Sequence, residues 1–149
     1  MGLQQQVMEQ MKTAMKAKDK VALESLRAIK SALLLAQTET ASTNEMSEEQ
    51  EIQLVQKLVK QRKDSAAIFI EQGRNDLAEP ELAQIAVIEQ FLPEQLGESE
   101  IEKVVLEVIE TTGAAGMKDM GKVMGMVSKK LAGQADGKTI STIVKSKLV

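Results

Sequence analysis

The sequence predicts an all-α protein: an N-terminal bundle or hairpin of long helices, then a smaller C-terminal domain of three helices. Three observations carry this. Apolar residues recur at i, i+3, i+4 and i+7 along most of the chain, which is the spacing of one helix face. Glycine (9) and proline (2) are scarce among the 149 residues, and most fall between the periodic segments. No alternating strand run, hairpin turn, fixed-period repeat or low-complexity segment interrupts the pattern.

The first helix is expected from Leu3 to about Ala17, with Leu3, Val7, Met8, Met11 and Met15 as its apolar stripe. Lys16, Lys18, Asp19 and Lys20 mark a polar corner, where Asp19 is suited to cap the next helix. That second helix runs from about Val21 to Gln37. Ala22, Leu26, Ile29, Leu33 and Ala36 form one apolar face, and Leu23 and Leu34 a neighbouring one, so the helix is expected to pack on more than one side. Arg27 and Lys30 lie near the second face. Their stems are expected to pack while their heads meet Asp or Glu partners; contact with an anion is the alternative.

Thr38 to Met46 is polar and reads as a surface loop. Ser47 to Gln50 matches a capping box and opens the longest helix, from Glu48 to about Gln72, with Gly73 as its stop. Ile52, Val55, Leu58, Val59, Ala66 and Phe69 form its stripe, which Arg62 interrupts. An arginine there reads as a stem packed at a helix crossing with a paired guanidinium. Asn75 or Asp76 is expected to cap a fourth helix carrying Leu82, Ile85, Ile88, Glu89 and Leu92, with Pro80 in an early turn. Leu92-Pro93 ends it, because a residue before proline avoids the helical region. Pro93 to Gly97 is the best domain boundary, giving domains 1–92 and 93–149.

Ser99 to Glu102 reads as a second capping box, opening a fifth helix through Ile101, Val104, Val105, Val108 and Ile109 to Gly113. The tail from Met117 to Val149 reads as two short helices. Met117, Met120, Val123, Met124, Val127 and Leu131 form one face of the first. At about 100° per residue, Lys118, Lys122 and Lys129 take the opposite face. Gly121 and Gly125 lie between the two faces, beside the lysines. An interior glycine costs a helix about 1 kcal/mol relative to alanine, so two of them imply close approach by another helix or by a ligand. Gly133 ends this helix and Asp136-Gly137 opens the last one, with Ile140, Ile143, Val144 and Leu148 inward and Lys138 and Lys145 outward.

Composition narrows the chemistry. With no cysteine and no histidine, the chain lacks disulfides, thiolates, the commonest general acid–base and the commonest metal ligand. With two aromatics, Phe69 and Phe91, the nine methionines and the aliphatic residues are expected to fill the core. No apolar run reaches about 18 residues, and the N-terminus lacks a secretory pattern, so a cytoplasmic protein with no membrane partner is expected. The net charge of −3 hides an asymmetry: residues 117–149 hold seven lysines and two aspartates, against 12 basic and 20 acidic side chains in the other 116 residues. A basic tail on an acidic body points any polyanion to the tail.

Catalytic motifs fail on inspection. Gly116 to Val123 approaches a phosphate-loop pattern, but Val123 stands where Mg²⁺ binding needs a hydroxyl, and no strand precedes it. Ser128-Lys129 has no oxyanion hole or orienting residue. The acids Glu45, Glu48, Glu49 and Glu51 read better as a solvated first helical turn than as a metal site. No metal, cofactor or catalytic residue is assigned, and no activity is expected from this chain alone. Base stacking is poorly served by two phenylalanines on apolar stripes, so any RNA is expected to be held by its backbone.

The run Asp119-Met120-Gly121-Lys122-Val123-Met124-Gly125, with Leu131-Ala132-Gly133 and Ala135-Asp136-Gly137-Lys138, resembles the C-terminal signature of the YqeY family. Leu26 to Ala32, Gln61 to Ser65, Arg74 to Ala78 with Glu81, and Phe91 to Leu96 resemble its other patterns, in order and over almost the whole chain. Phe91 departs mildly, since the family more often has tyrosine there. The family shares its fold with the tail domain of the B subunit of the glutamyl/aspartyl-tRNA amidotransferase, a carbon–nitrogen ligase that uses glutamine as amido donor. In that enzyme the tail domain holds tRNA, while another part of the same protein carries the kinase and transamidation chemistry, and glutamine hydrolysis belongs to a separate polypeptide.

The resemblance therefore implies a non-catalytic tRNA-binding or accessory module. It implies Lys118, Lys122, Lys129, Lys130, Lys138 and Lys145 as phosphate contacts, with Gly121 and Gly125 allowing close approach. Arg27, Lys30, Arg62, Lys63 and Arg74 are secondary basic candidates. A second reading stays open: a module that docks on an aminoacyl-tRNA synthetase or on part of an amidotransferase without touching RNA. An RNA binder needs its lysines on one exposed surface, whereas a docking module needs an exposed apolar patch.

Overall fold

The computed structural model describes residues 2–39 and 46–149, and among these the chain is all-α. Seven α-helices and one 3-10 turn follow in order: α1 Leu3–Ala17, α2 Lys20–Glu39, α3 Glu48–Glu71, α4 Asn75–Glu89, α5 Glu98–Thr112, the 3-10 turn Met117–Asp119, α6 Met120–Leu131 and α7 Gly137–Leu148. The chain divides into two compact units, Met1–Leu92 and Pro93–Val149.

In the first unit, α1 and α2 form a hairpin joined by two residues. Lys18 turns the chain in the left-handed region (φ 55°), and the Asp19 carboxylate accepts from the Ala22 amide at 3.1 Å. The capping box at Ser47 is complete: Gln50 N donates to Ser47 Oγ at 3.2 Å, and Ser47 N donates to Gln50 Oε1 at 2.9 Å. Gly73 (φ 73°) ends the α3 segment, and the Arg74 amide returns to the Phe69 carbonyl at 2.7 Å. That turn folds α4 back along α3. Helix α2 packs against both α1 and α4, around a core that includes Val7, Leu26, Ile29, Val55 and Ile88. Each such side chain contributes roughly 1.5–3 kcal/mol on burial. Ser25 is also fully buried, and its hydroxyl donates to the Val21 carbonyl at 2.8 Å.

In the second unit, α5, α6 and α7 each pack on the other two. Ile101, Val105, Val108, Val123, Val127 and Val144 are its innermost residues. The chain enters α5 along a fixed path. Leu96 N donates to the Gln134 carbonyl at 2.9 Å, and the Gln95 side-chain amide donates to the Gly133 carbonyl at 2.8 Å.

Several local expectations are corrected. Helix α2 continues to Glu39, so Thr38 and Glu39 are helical; of the expected loop, residues 40–45 lie outside the described residues. The box at Ser99 does not form. Gly97 takes the extended capping position, so Ser99 already lies inside the first turn of α5. Neither Asn75 nor Asp76 caps α4, whose N-cap is Arg74; the Asp76 carboxylate is taken by the Arg74 guanidinium instead. Helix α4 stops at Glu89, and Leu82 is exposed while Ala78 is buried. The tail helix starts as a 3-10 turn and becomes α-helical at Met120.

The methionines do not fill the core. No described methionine is fully buried: Met8, Met15 and Met117 are exposed, and Met11, Met46, Met120, Met124 and Met126 pack at core edges. β-Branched residues and leucines fill the centres instead. On α1 the buried position is Ala14 rather than Met8 or Met15, which rotates the inward stripe by about one residue.

Candidate nucleic-acid interface

The tail carries its charge unevenly. Helix α5 holds Glu98, Glu100, Glu102, Glu107 and Glu110 against one lysine, whereas α6 and α7 together hold six lysines and no acid. One ion pair fastens each basic helix to α5. Lys130 Nζ stands 3.4 Å from Glu107 Oε1, and Lys147 Nζ 2.6 Å from Glu102 Oε1. These pairs are solvent-exposed and contribute at most about 1 kcal/mol each.

The two tail aspartates face backbone amides. Asp119 Oδ2 accepts from the Ala115 amide at 3.1 Å, and Asp136 Oδ1 accepts from Thr139 N at 2.7 Å, capping α7. Among the described residues, Lys118, Lys122, Lys129, Lys138 and Lys145 then have no acidic partner, and all five are exposed. Lys122 and Lys129 are seven residues apart on α6, as are Lys138 and Lys145 on α7. Each pair is thus separated by two helical turns, about 10.5 Å.

Gly121 and Gly125 lie on the exposed side of α6. A Cβ built on either meets no heavy atom within 4 Å. No neighbouring helix of the second unit occupies their side, so close packing within that unit does not account for them. By helical phase they border Lys118, Lys122 and Lys129. The arrangement is a helix surface bare of side chains beside a row of cations.

The secondary basic candidates lie in the first unit. Arg62 is a structural side chain: Nε donates to Gln84 Oε1 at 2.9 Å, and Nη1 donates to the Leu58 carbonyl at 3.1 Å. Lys63 pairs with Glu89 at 3.5 Å. Arg74 holds Asp76 with two bonds of 3.0 and 2.9 Å, which keeps the Asp76 carboxyl below its ordinary pKa and raises that of the guanidinium. Arg27 and Lys30 differ from the expectation of paired heads, since neither forms an ion pair among the described residues. No cluster of acids among the described residues is suited to a metal ion. No helix among them is long and apolar enough to cross a membrane.

The model of the YqeY-like protein family matches residues 4–148. The chain belongs to that family. It is 34% identical over 127 residues to altered inheritance of mitochondria protein 41, mitochondrial, of Pyrenophora tritici-repentis, covering 84% of this chain and 68% of that protein. It is also similar to the E subunit of glutamyl-tRNA(Gln) amidotransferase from two Thermococcus species. Identity is 41% over 73 residues with the Thermococcus gammatolerans protein and 36% over 73 residues with that of Thermococcus sibiricus. Both matches take in 46% of this chain and 12% of the amidotransferase polypeptide. The YqeY-like chain therefore spans a small part of the amidotransferase proteins that it resembles.

Proposed function

We propose that this YqeY-like protein is a non-catalytic accessory module that binds tRNA through the lysine face of α6 and α7. The observation that carries the reading is electrostatic. Five tail lysines are exposed without an acidic partner among the described residues, while the neighbouring acids are engaged by backbone amides or held on α5. Cations left free in this way can exchange their counterions for phosphates, which supplies most of the affinity in sequence-independent binding.

The glycines serve the same end. At Gly121 and Gly125 no Cβ stands between the helix backbone and a ligand, so a sugar–phosphate strand can lie against α6 while the flanking lysines take its phosphates. Nothing on this face stacks on bases, because both phenylalanines belong to the first unit. Recognition by shape and backbone of a folded RNA fits this chemistry better than readout of a single strand. The similarity to proteins of a tRNA-dependent amidotransferase supports tRNA as that RNA, and such an amidotransferase, or an aminoacyl-tRNA synthetase, as the associated enzyme.

The test is binding of unfractionated tRNA to the wild-type chain and to Lys118→Ala/Lys122→Ala/Lys129→Ala. Tight wild-type binding that the triple substitution weakens by about tenfold or more supports the reading. Equal binding by both proteins removes the lysine face from it.

A further inference from the structure

We propose that the α1–α2 hairpin is a second docking surface, and that its occupant is an amphipathic, acid-flanked helix of a partner protein. The hairpin exposes apolar side chains that the core does not use. Met8 and Met15 are 45% and 59% exposed on α1, and Leu34 is 48% exposed on α2. Met8, Met11 and Met15 recur at i, i+3 and i+7. Leu23, Arg27, Lys30 and Leu34 recur at i, i+4, i+7 and i+11. Each set therefore makes one stripe.

Both stripes lie on the same side of the hairpin. Ala14, Ala17, Ala22 and Leu26 line a depression with Val87 of α4 and with Gln90 just after it, which marks the opposite, inward side. Near the open end of the hairpin, Met8 and Gln4 line a second depression with Leu33 and Gln37 of α2, closed off by Met46 and by Glu51 of α3. The field free of acids is therefore the stretch from Met11 and Lys30 toward the turn.

Charge decides what fits there. Residues 3–39 hold six basic and four acidic side chains, whereas residues 40–92 hold five and ten. The hairpin's acids are turned elsewhere. Asp19 caps α2, Glu24 accepts from Gln84 at 3.5 Å, and Glu9 on α1 and Glu39 on α2 fall by helical phase away from the two stripes. Arg27 and Lys30 remain without an acidic partner among the described residues. They stand inside the apolar field, between Leu23 and Leu34, not at its rim.

The acyl layer of a lipid surface holds no partner for these two cations, which would have to reach past it to the headgroups. A protein helix can bring carboxylates to them while its leucines meet the methionines. Unbranched methionine side chains adapt to such a partner, and laying a helix into an apolar groove is a common recognition mode. This surface is independent of the RNA reading, and each can fail without the other.

The probe is a pair of synthetic helical peptides with leucines at i, i+3, i+4 and i+7. One is flanked by glutamates and the other by lysines. Binding to the full chain is followed by calorimetry, with anionic vesicles, tRNA and sedimentation of the protein alone as further arms. The Glu-flanked peptide is expected to bind at least about tenfold more tightly than its Lys-flanked twin. Arg27→Glu/Lys30→Glu is expected to reverse that preference, and Met8→Ser/Met15→Ser to weaken both peptides. Met8, Met15 and Arg27 are exposed and Lys30 is half-buried, and an unchanged circular dichroism melt confirms that the variants fold. Equal affinity for the two peptides overturns the proposal. So does vesicle or tRNA binding lost in Arg27→Glu/Lys30→Glu, or self-association lost in Met8→Ser/Met15→Ser, since each names a different occupant.

Discussion

Arg62 and Gln84 join α3 to α4: the guanidinium Nε donates to the Gln84 side-chain oxygen at 2.9 Å. The Gln84 amide continues to Glu24 on α2 at 3.5 Å, so a chain of polar groups, half-buried at Arg62 and Gln84 and exposed at Glu24, ties three helices together. An arginine breaking an apolar stripe is thereby explained as a crossing residue. Arg62→Ala removes a charged donor from two acceptors and is expected to destabilise the first unit by about 1–2 kcal/mol. Denaturant unfolding, monitored by hydrogen exchange on α3 and α4, measures this. tRNA affinity is expected to stay unchanged.

The open side of α6 sets stability against binding. Alanine at Gly125 meets no heavy atom and gains helix propensity, so Gly125→Ala is expected to stabilise the second unit by about 1 kcal/mol. Gly121, one residue into the helix, is expected to give a smaller gain. The same substitutions are expected to weaken tRNA binding by filling the space between helix and ligand. Thermal melts and binding curves on Gly121→Ala/Gly125→Ala check both halves. A more stable variant with full affinity would leave the glycines without a role in binding.

Asp76 supplies a pH prediction. The two hydrogen bonds from Arg74 favour its charged form, so its folded pKa lies below the unfolded value. Its contribution to stability is present above the ordinary aspartate range, near about 3.9. That contribution is lost as pH falls through the lower folded value. The pair is fully exposed, and its effect on stability is expected to be small. A carboxyl-detected NMR titration should place the Asp76 midpoint below that of an unpaired aspartate, and Arg74→Ala should raise it.

Much of the architecture could be read from the sequence because its signals are local. The glycines at 73 and 113 mark left-handed helix ends (φ 73° and 68°), and the box at Ser47 forms in full. The misreadings have tertiary causes. Ser99 resembles a cap, but the hydrogen bonds from Gln95 and Leu96 fix the path into α5, which begins at Glu98 with Gly97 as its cap. Asp76 resembles a cap, but a guanidinium two residues away competes for it. Met8 and Met15 resemble core residues by type, yet the phase of α1 is set by Leu3, Val7 and the small Ala14. At the lysine face, sequence spacing separated Lys118, Lys122 and Lys129 from the apolar stripe. It carried no sign that Lys130 would be taken by Glu107 of another helix, since such pairings arise only on packing.

Lysines of the 3-10 turn, α6 and α7 that neutralise RNA phosphates must make tRNA binding depend on salt. The logarithm of the affinity should fall linearly with the logarithm of salt concentration. The slope should be about −0.9 for each phosphate neutralised, with duplex DNA as the guide. Contacts by Lys118, Lys122 and Lys129 alone predict a slope of about −3 or steeper, which should flatten by a comparable amount when all three are alanine. A wild-type slope near zero, or an unchanged slope in the triple variant, would leave these lysines without a role in RNA binding.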